Sequence, residues 1–141
     1  LNESEEVFQN SATAYKDTIV KLIDINTFKQ FIRENGYFAE QIISILSENA
    51  NLINNRFFCL THRQSYGRLA DTLLCLSGRV FKSDKFHLDL TRKEIAELAG
   101  MSTESVIRIL KKFQDENLID ISGRVIEIKD NEALQRICNL G

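Results

Sequence analysis

The sequence predicts a mainly α-helical fold with small β elements, in which one long helix precedes a pair of short helices and a terminal hairpin. Three features predict it. From Tyr37 to about Leu60 apolar residues recur at helical spacing with no Gly or Pro after Gly36. Between Thr91 and Ser102 lie two helix starts separated by Gly100. Ile119-Asp120-Ile121 and Val125-Ile126-Glu127-Ile128 alternate in polarity around Ser122-Gly123-Arg124, the pattern of two strands joined by a tight turn.

Composition bounds what this fold can do. With 141 residues, 43% of them hydrophobic, the chain can bury a real core. No apolar run approaches the roughly eighteen residues a membrane span needs, and no basic stretch leads into an apolar core as in a signal peptide. A cytosolic protein is expected. Cys59, Cys75 and Cys138 are an odd number at irregular spacing, which argues against a disulfide framework and for small hydrophobes in a core. The chain opens on Leu1 and an acidic stretch rather than on Met, so a longer parent protein is expected. The net charge of −2 hides a strong segregation. Residues 56–112 carry eleven basic and six acidic side chains, whereas residues 1–55 carry four and eight and residues 113–141 three and six. Clustered positive charge is what phosphate contact requires, because each neutralised phosphate releases condensed counterions.

Taken in order, Ala12-Thr13-Ala14-Tyr15 and Thr18-Ile19-Val20-Lys21-Leu22-Ile23 are short β-prone segments, although two strands alone make no stable sheet. Ile25–Glu34 reads as an amphipathic helix carrying Phe28, Phe31 and Ile32, stopped at Asn35-Gly36. In the long helix that follows, Ile42, Leu46, Asn49, Ile53, Arg56 and Leu60 step alternately by four and three, the seam of a two-stranded coiled coil. Phe38, Ile45, Leu52 and Phe57 form a neighbouring row that widens it. Periodicity alone also fits a helix lying on its own domain; Asn49 favours a dimer, because a lone polar seam residue fixes register. Ser65–Ser77 reads as a helix with Leu69, Ala70, Leu73, Leu74 and Leu76 inward, closed by Gly78, and Phe86–Leu90 as a short strand.

Thr91-Arg92-Lys93-Glu94 is a capping box, so a helix starts there and runs to a break at Gly100. Ser102 then caps a second helix with Val106, Ile109, Leu110 and Phe113 inward. Two short helices around a Gly-containing turn are the signature of a helix-turn-helix, with the second helix expected over about Thr103–Asp115. Its outer face presents Thr103, Glu104, Ile107, Arg108 and Lys111. An Arg forks onto guanine O6 and N7, a Glu accepts from cytosine N4, and an Ile touches a thymine methyl, so Thr103, Glu104, Ile107 and Arg108 are the candidate base-reading residues. Glu104 and Arg108, four apart, are placed to hold each other's geometry. The plainer reading of such a pair is a solvated helix face. The hairpin at residues 119–128 reads as a wing, and Arg124 near its tip joins Ser102, Arg92, Lys111 and Lys112 as candidate phosphate contacts, which set position rather than sequence preference. Each of these cations also fits ordinary surface charge. Asn131–Cys138 reads as a covering helix.

These residues resemble the catabolite-activator and fumarate/nitrate-regulator (Crp/Fnr) family. The likeness is carried by Gly67-Arg68-Leu69-Ala70 with Leu73-Leu74, by Leu90-Thr91-Arg92-Lys93-Glu94-Ile95-Ala96, and by Gly100, Glu104, Arg108-Ile109-Leu110 and Leu118-Ile119. The resemblance implies that residues 1–34 are the remnant of a cyclic-nucleotide-binding-like β-roll, residues 35–62 the dimerisation helix, and residues 63–141 a winged helix-turn-helix. It implies a homodimer on a palindromic double-stranded DNA operator, with RNA polymerase as a further candidate partner, and it makes Glu104 and Arg108 the base-reading pair on a TGA-like half-site. Thr103 stands where catabolite-activator-like members carry another base-reading Arg, and Ile107 where oxygen-sensor-like members carry Ser, which leaves the half-site open. Asn10 stands where nucleotide-binding members place an Arg on the cyclic phosphate, so cAMP binding is not implied and no effector or cofactor is expected in this stretch.

Cys59 and His62, with Cys75 or His87, do not amount to a spacing that supplies four metal ligands. The sequence has no Gly-rich phosphate loop and no nucleophile elbow, and no enzyme is expected. The alternative to a sequence-specific regulator is a winged helix that serves as a protein-interaction scaffold.

Overall fold

The computed structural model of the chain describes residues 11–14 and 17–140. By packing it divides into two units, Leu1–Gln41 and Ile42–Gly141. In the first, the two expected strands are not seen among the described residues: Ala12–Ala14 and residues 17–24 have no strand structure, Ile19 and Leu22 are each 95% exposed, and Tyr15 lies outside the described residues. A β-prone segment becomes a strand only where a neighbour takes its backbone groups and a packed face covers its side chains. Helix α1 (Ile25–Glu34) does form, started by Asp24, whose Oδ2 accepts from the Thr27 N–H at 2.9 Å. Asn35 both ends α1 and starts the next helix: its N–H donates to the Phe31 carbonyl at 2.9 Å, and its Oδ1 accepts from the Phe38 N–H at 3.0 Å. The rings of Phe28 and Phe31 meet that of Phe38 at 5.6 and 5.8 Å.

Helix α2 (Gly36–His62) is the long element the periodicity predicts. It buries a single residue, Cys59, near its C-terminal end, while Leu46, Ile53 and Phe57 are 61, 69 and 67% exposed. The core of the second unit lies beyond it, among α3 (Ser65–Cys75), α4 (Arg92–Ala99), α5 (Thr103–Asp115), α6 (Asn131–Leu140) and a small sheet. Leu69 and Leu73 of α3, Ile95 of α4, Val106 and Phe113 of α5, Ile126 of the sheet and Leu134 of α6 are all fully buried there. The sheet is antiparallel, with β1 (Lys85–His87) and β2 (Ile119–Ser122) on either side of β3 (Val125–Ile128). Ser122 pairs with Val125, which leaves Gly123 and Arg124 as a two-residue loop, and Gly123 takes the left-handed φ of 61° that such a loop asks of its first residue.

Two boundaries differ from the expected ones. Gly78 does not close α3; the chain continues through a π-helical segment, Leu76–Phe81, and stops at Lys82 with φ 50°. Leu76 and Ser77 are buried there and Phe81 stacks on Phe86 at 4.8 Å, so packing carries the helix past its glycine. The strand expected over Phe86–Leu90 ends at His87, although the Leu88 N–H still reaches the Arg124 carbonyl at 2.8 Å. Among the described residues no helix is long and apolar enough to cross a membrane.

Candidate nucleic-acid interface

Local chemistry fixes where α4 ends and α5 begins. The Thr91 N–H donates to Glu94 Oε2 at 2.7 Å and the Glu94 N–H donates to Thr91 Oγ1 at 3.2 Å, a complete capping box. The bond from the Thr91 backbone, and then that from its hydroxyl, hold the Glu94 carboxyl below the usual carboxylate range. Gly100 ends α4 with φ 60°, and a Cβ there would lie 2.7 Å from Leu60 Cδ2. The left-handed backbone therefore favours glycine at the turn, and any Cβ there would also have to displace the tip of Leu60. Ser102 starts α5, its Oγ accepting from the Ser105 N–H at 3.2 Å and lying 3.0 Å from Ser105 Oγ, so this candidate phosphate contact already serves the helix.

Helix α5 turns Val106, Ile109, Leu110 and Phe113 inward. Its opposite face exposes Glu104, Ile107, Arg108 and Lys111, with Thr103 half-buried at its start. Ile107 is 54% exposed, a large apolar side chain held in water between charges. Glu104 and Arg108 do not pair as their spacing suggested: both are exposed, and neither has an ion-pair partner among the described residues.

The remaining candidates fall into two basic grooves. Arg108 and Lys112 line one of about 540 Å³ together with Gln64, Ser65, Tyr66 and Arg68 from the start of α3. Gln64, the N-cap of α3, makes no side-chain hydrogen bond to the first amides of that helix. Arg68 enters it with Nη2 3.4 Å from Ser65 Oγ, while its Nε is buried without a hydrogen-bond partner. Lys112 sits 4.6 Å over the Tyr66 ring and 3.8 Å from Glu116. Arg92 and Arg124 line the second groove, of about 230 Å³, between the start of α4 and the hairpin loop. Arg124 lies 3.9 Å from Asp89, whose carboxylate also meets His87 Nδ1 at 3.0 Å. Gly67-Arg68 carries part of the family likeness in sequence, but nothing local marks residues 64–68 as part of a groove; only the crossing of α3 and α5 brings them beside Arg108.

Along α2 the candidate seam splits. Ile42, Leu46, Asn49 and Ile53 face away from the second unit's core, Ile42 half-buried and the others exposed. Arg56 instead meets Asp71 of α3 at 3.5 Å, and Leu60 packs on the turn at Gly100. Arg63 reaches the same Asp71 carboxylate at 2.9 Å and Cys138 Sγ at 2.7 Å. Burial pushes the Cys138 thiol up to about 11. Among the described residues no three His, Cys, Asp or Glu side chains are grouped to hold a metal ion.

Tyr66 gives this region a pH signature. Its hydroxyl donates to Glu116 Oε2 at 3.3 Å and its ring meets Phe113 at 4.8 Å. Burial first, and then the neighbouring Glu116 charge, push the phenol up to about 12. The folded state therefore favours the protonated phenol: its contribution is intact below the ordinary tyrosine range near pH ~10 and is lost as pH rises from there toward the folded value. Urea unfolding followed at a series of alkaline pH values should show a shallower loss of stability in Tyr66→Phe than in the parent chain.

The model of the Crp-like helix-turn-helix domain matches residues 67–137, half of the chain. The chain belongs to the Crp/Fnr family. Among relatives of this Crp/Fnr chain, the CRP-like cAMP-activated global transcriptional regulator of Mycobacterium tuberculosis is 30% identical over 131 residues, covering 90% of this chain and 58% of the relative. The fumarate and nitrate reduction regulatory protein of Yersinia pestis is 27% identical over 130 residues, covering 89% of this chain and 52% of the relative. Both are named as regulators, not enzymes. The Crp/Fnr chain thus spans little more than half the length of such relatives. Its fold is also that of FixK2 from Bradyrhizobium japonicum, with a TM-score of 0.74 at 18% identity over 79% of this chain and 57% of the other. A CooA variant from Carboxydothermus hydrogenoformans superposes with a TM-score of 0.68 at 21% identity, over 82% of this chain and 55% of the other.

Proposed function

We propose that this chain is the dimerising and DNA-binding part of a transcription regulator that acts as a homodimer on a near-palindromic operator. The observation that carries the reading is the outer face of α5, where Glu104, Ile107 and Arg108 stand exposed and unpaired on a helix fixed by two caps and a glycine turn. Family membership supports the same reading. Helix α5 enters the major groove, Arg108 reads guanine, Glu104 accepts from cytosine, Ile107 meets a methyl group, and Thr103 adds a short polar contact. The groove between α3 and α5 receives one backbone phosphate on the first amides of α3, Arg68 and Lys112, and the groove at the wing receives another on Arg92 and Arg124. Lys111 and the Ser102 start of α5 lie along the same track. Two copies joined along Ile42, Leu46, Asn49 and Ile53 place two such helices roughly 34 Å apart, one turn of DNA. RNA polymerase is a further partner of an activator built this way.

Selection of bound sequences from a random duplex library, at two salt concentrations, tests the reading. The expected result is a palindrome whose affinity falls steeply with salt, because several phosphates are neutralised at once. Weak retention without sequence preference would leave the winged domain as a protein-interaction scaffold.

A further inference from the structure

On the side of the second unit away from α5 lies an open groove of about 710 Å³, bounded by the C-terminal half of α2, the end of α3 with its π-helical extension, α4 and α6. Its size is that of sites which bury small organic ligands, typically about 300–1,000 Å³. One wall is apolar and wet: Val80 is 62% exposed, Leu98 43% and Leu52 38%. Exposed apolar side chains gathered in a concavity leave a free-energy gain of about 25 cal/mol per Å² to whatever covers them.

The charge in this groove is unbalanced. Arg56, Asp71 and Arg79 line it. Asp71 is engaged more tightly by Arg63, at 2.9 Å, than by Arg56, at 3.5 Å. Arg79 has no ion-pair partner among the described residues. One carboxylate therefore serves two guanidiniums, those of Arg63 and Arg56, and Arg56 and the unpaired Arg79 both lie on the groove beside an apolar wall. A guanidinium is the side chain best shaped to take a carboxylate in paired hydrogen bonds.

We infer that this groove binds an amphipathic organic monocarboxylate, its carboxylate held by Arg79 with Arg56 and its apolar body laid on Leu52, Val80 and Leu98. Because α2 forms one wall and the winged unit the other, an occupant bridges the two, independently of whether α5 reads DNA.

Cys75, exposed on α3 and lining the same groove, reports occupancy directly, since Cys59 and Cys138 are buried. The rate of its alkylation by iodoacetamide, resolved by peptide mass, is measured on the full chain against rising octanoate, with 1-octanol as the uncharged comparison. Octanoate should protect Cys75 saturably. Arg79→Gln should raise the half-protecting concentration about tenfold, the cost of one charge-assisted hydrogen bond, while Lys93→Gln, on the exposed side of α4, should leave it unchanged. Absence of saturable protection would overturn the inference. So would equal protection by octanol that Arg79→Gln does not alter, which would mark a merely greasy surface. Protection that rises with protein concentration without octanoate would assign the groove to a second copy of the chain and overturn the inference equally.

Discussion

Arg108→Ala should abolish discrimination at one base pair of each half-site and weaken binding to the selected operator by about 1–3 kcal/mol per half-site, with a far smaller change on unrelated duplex. The expectation rests on where the guanidinium stands. It emerges from the exposed face of α5, and among the described residues neither Glu104 nor any other carboxylate pairs with it, which leaves its donors to a base edge. The same residue also borders the groove that holds Arg68 and Lys112, so a phosphate contact is the rival role. The two roles separate cleanly in a competition assay. A base-reading arginine loses preference for one base pair, whereas a phosphate-binding one lowers affinity for every sequence and reduces the salt slope by about one. Arg124→Ala, at the hairpin loop, should show that second behaviour and serves as the comparison. Unchanged preference in Arg108→Ala would remove the residue from base reading.

Most of the helical frame of this candidate interface is legible in sequence because its signals are local. Thr91 with Glu94, Gly100 and Ser102 are cap chemistry acting within a turn or so of chain, and they place α4 and α5 to within a residue or two. The outward set Glu104, Ile107 and Arg108 then follows from the helical period. What escapes is non-local. The groove at Gln64–Arg68 exists only because α3 crosses α5 some forty residues later in the chain. Gly78 reads as a stop, yet the burial of Leu76 and Ser77 and the stacking of Phe81 on Phe86 outweigh the glycine's entropy. Residues 18–23 have strand composition, but β-propensity expresses fit to a pleated, half-covered surface, and none of the described residues supplies one. The heptad-like spacing through Arg56 and Leu60 is genuine helical periodicity; Asp71 and Gly100, invisible to the pattern, claim those two side chains for the winged unit.

That division of α2 points to its upper seam, and Ile53→Asp should convert the proposed dimer to monomer in sedimentation at micromolar protein. Over 27 residues α2 buries only Cys59 within the chain, while Ile45, Leu46, Ile53 and Phe57 remain 52 to 69% exposed. A stripe of that kind is stable in water only if something covers it, and the four-three spacing of Ile42, Leu46, Asn49 and Ile53 fits a second copy of the same helix. Replacing Ile53 removes roughly 1.5–3 kcal/mol of apolar burial from each protomer, and by two-fold symmetry both copies are affected. An aspartate in the seam adds an unpartnered charge on top of that loss. Asn51→Asp, one helical face away, should leave the mass unchanged and controls for charge and helix propensity, with far-UV circular dichroism confirming that the helix persists. Operator binding should fall with dimerisation, because each winged unit then meets its half-site as a separate event and loses the effective concentration its tether provides. If Ile53→Asp remains dimeric, the exposed stripe belongs to a different partner, and the two-fold arrangement of the reading helices would have to come from another surface.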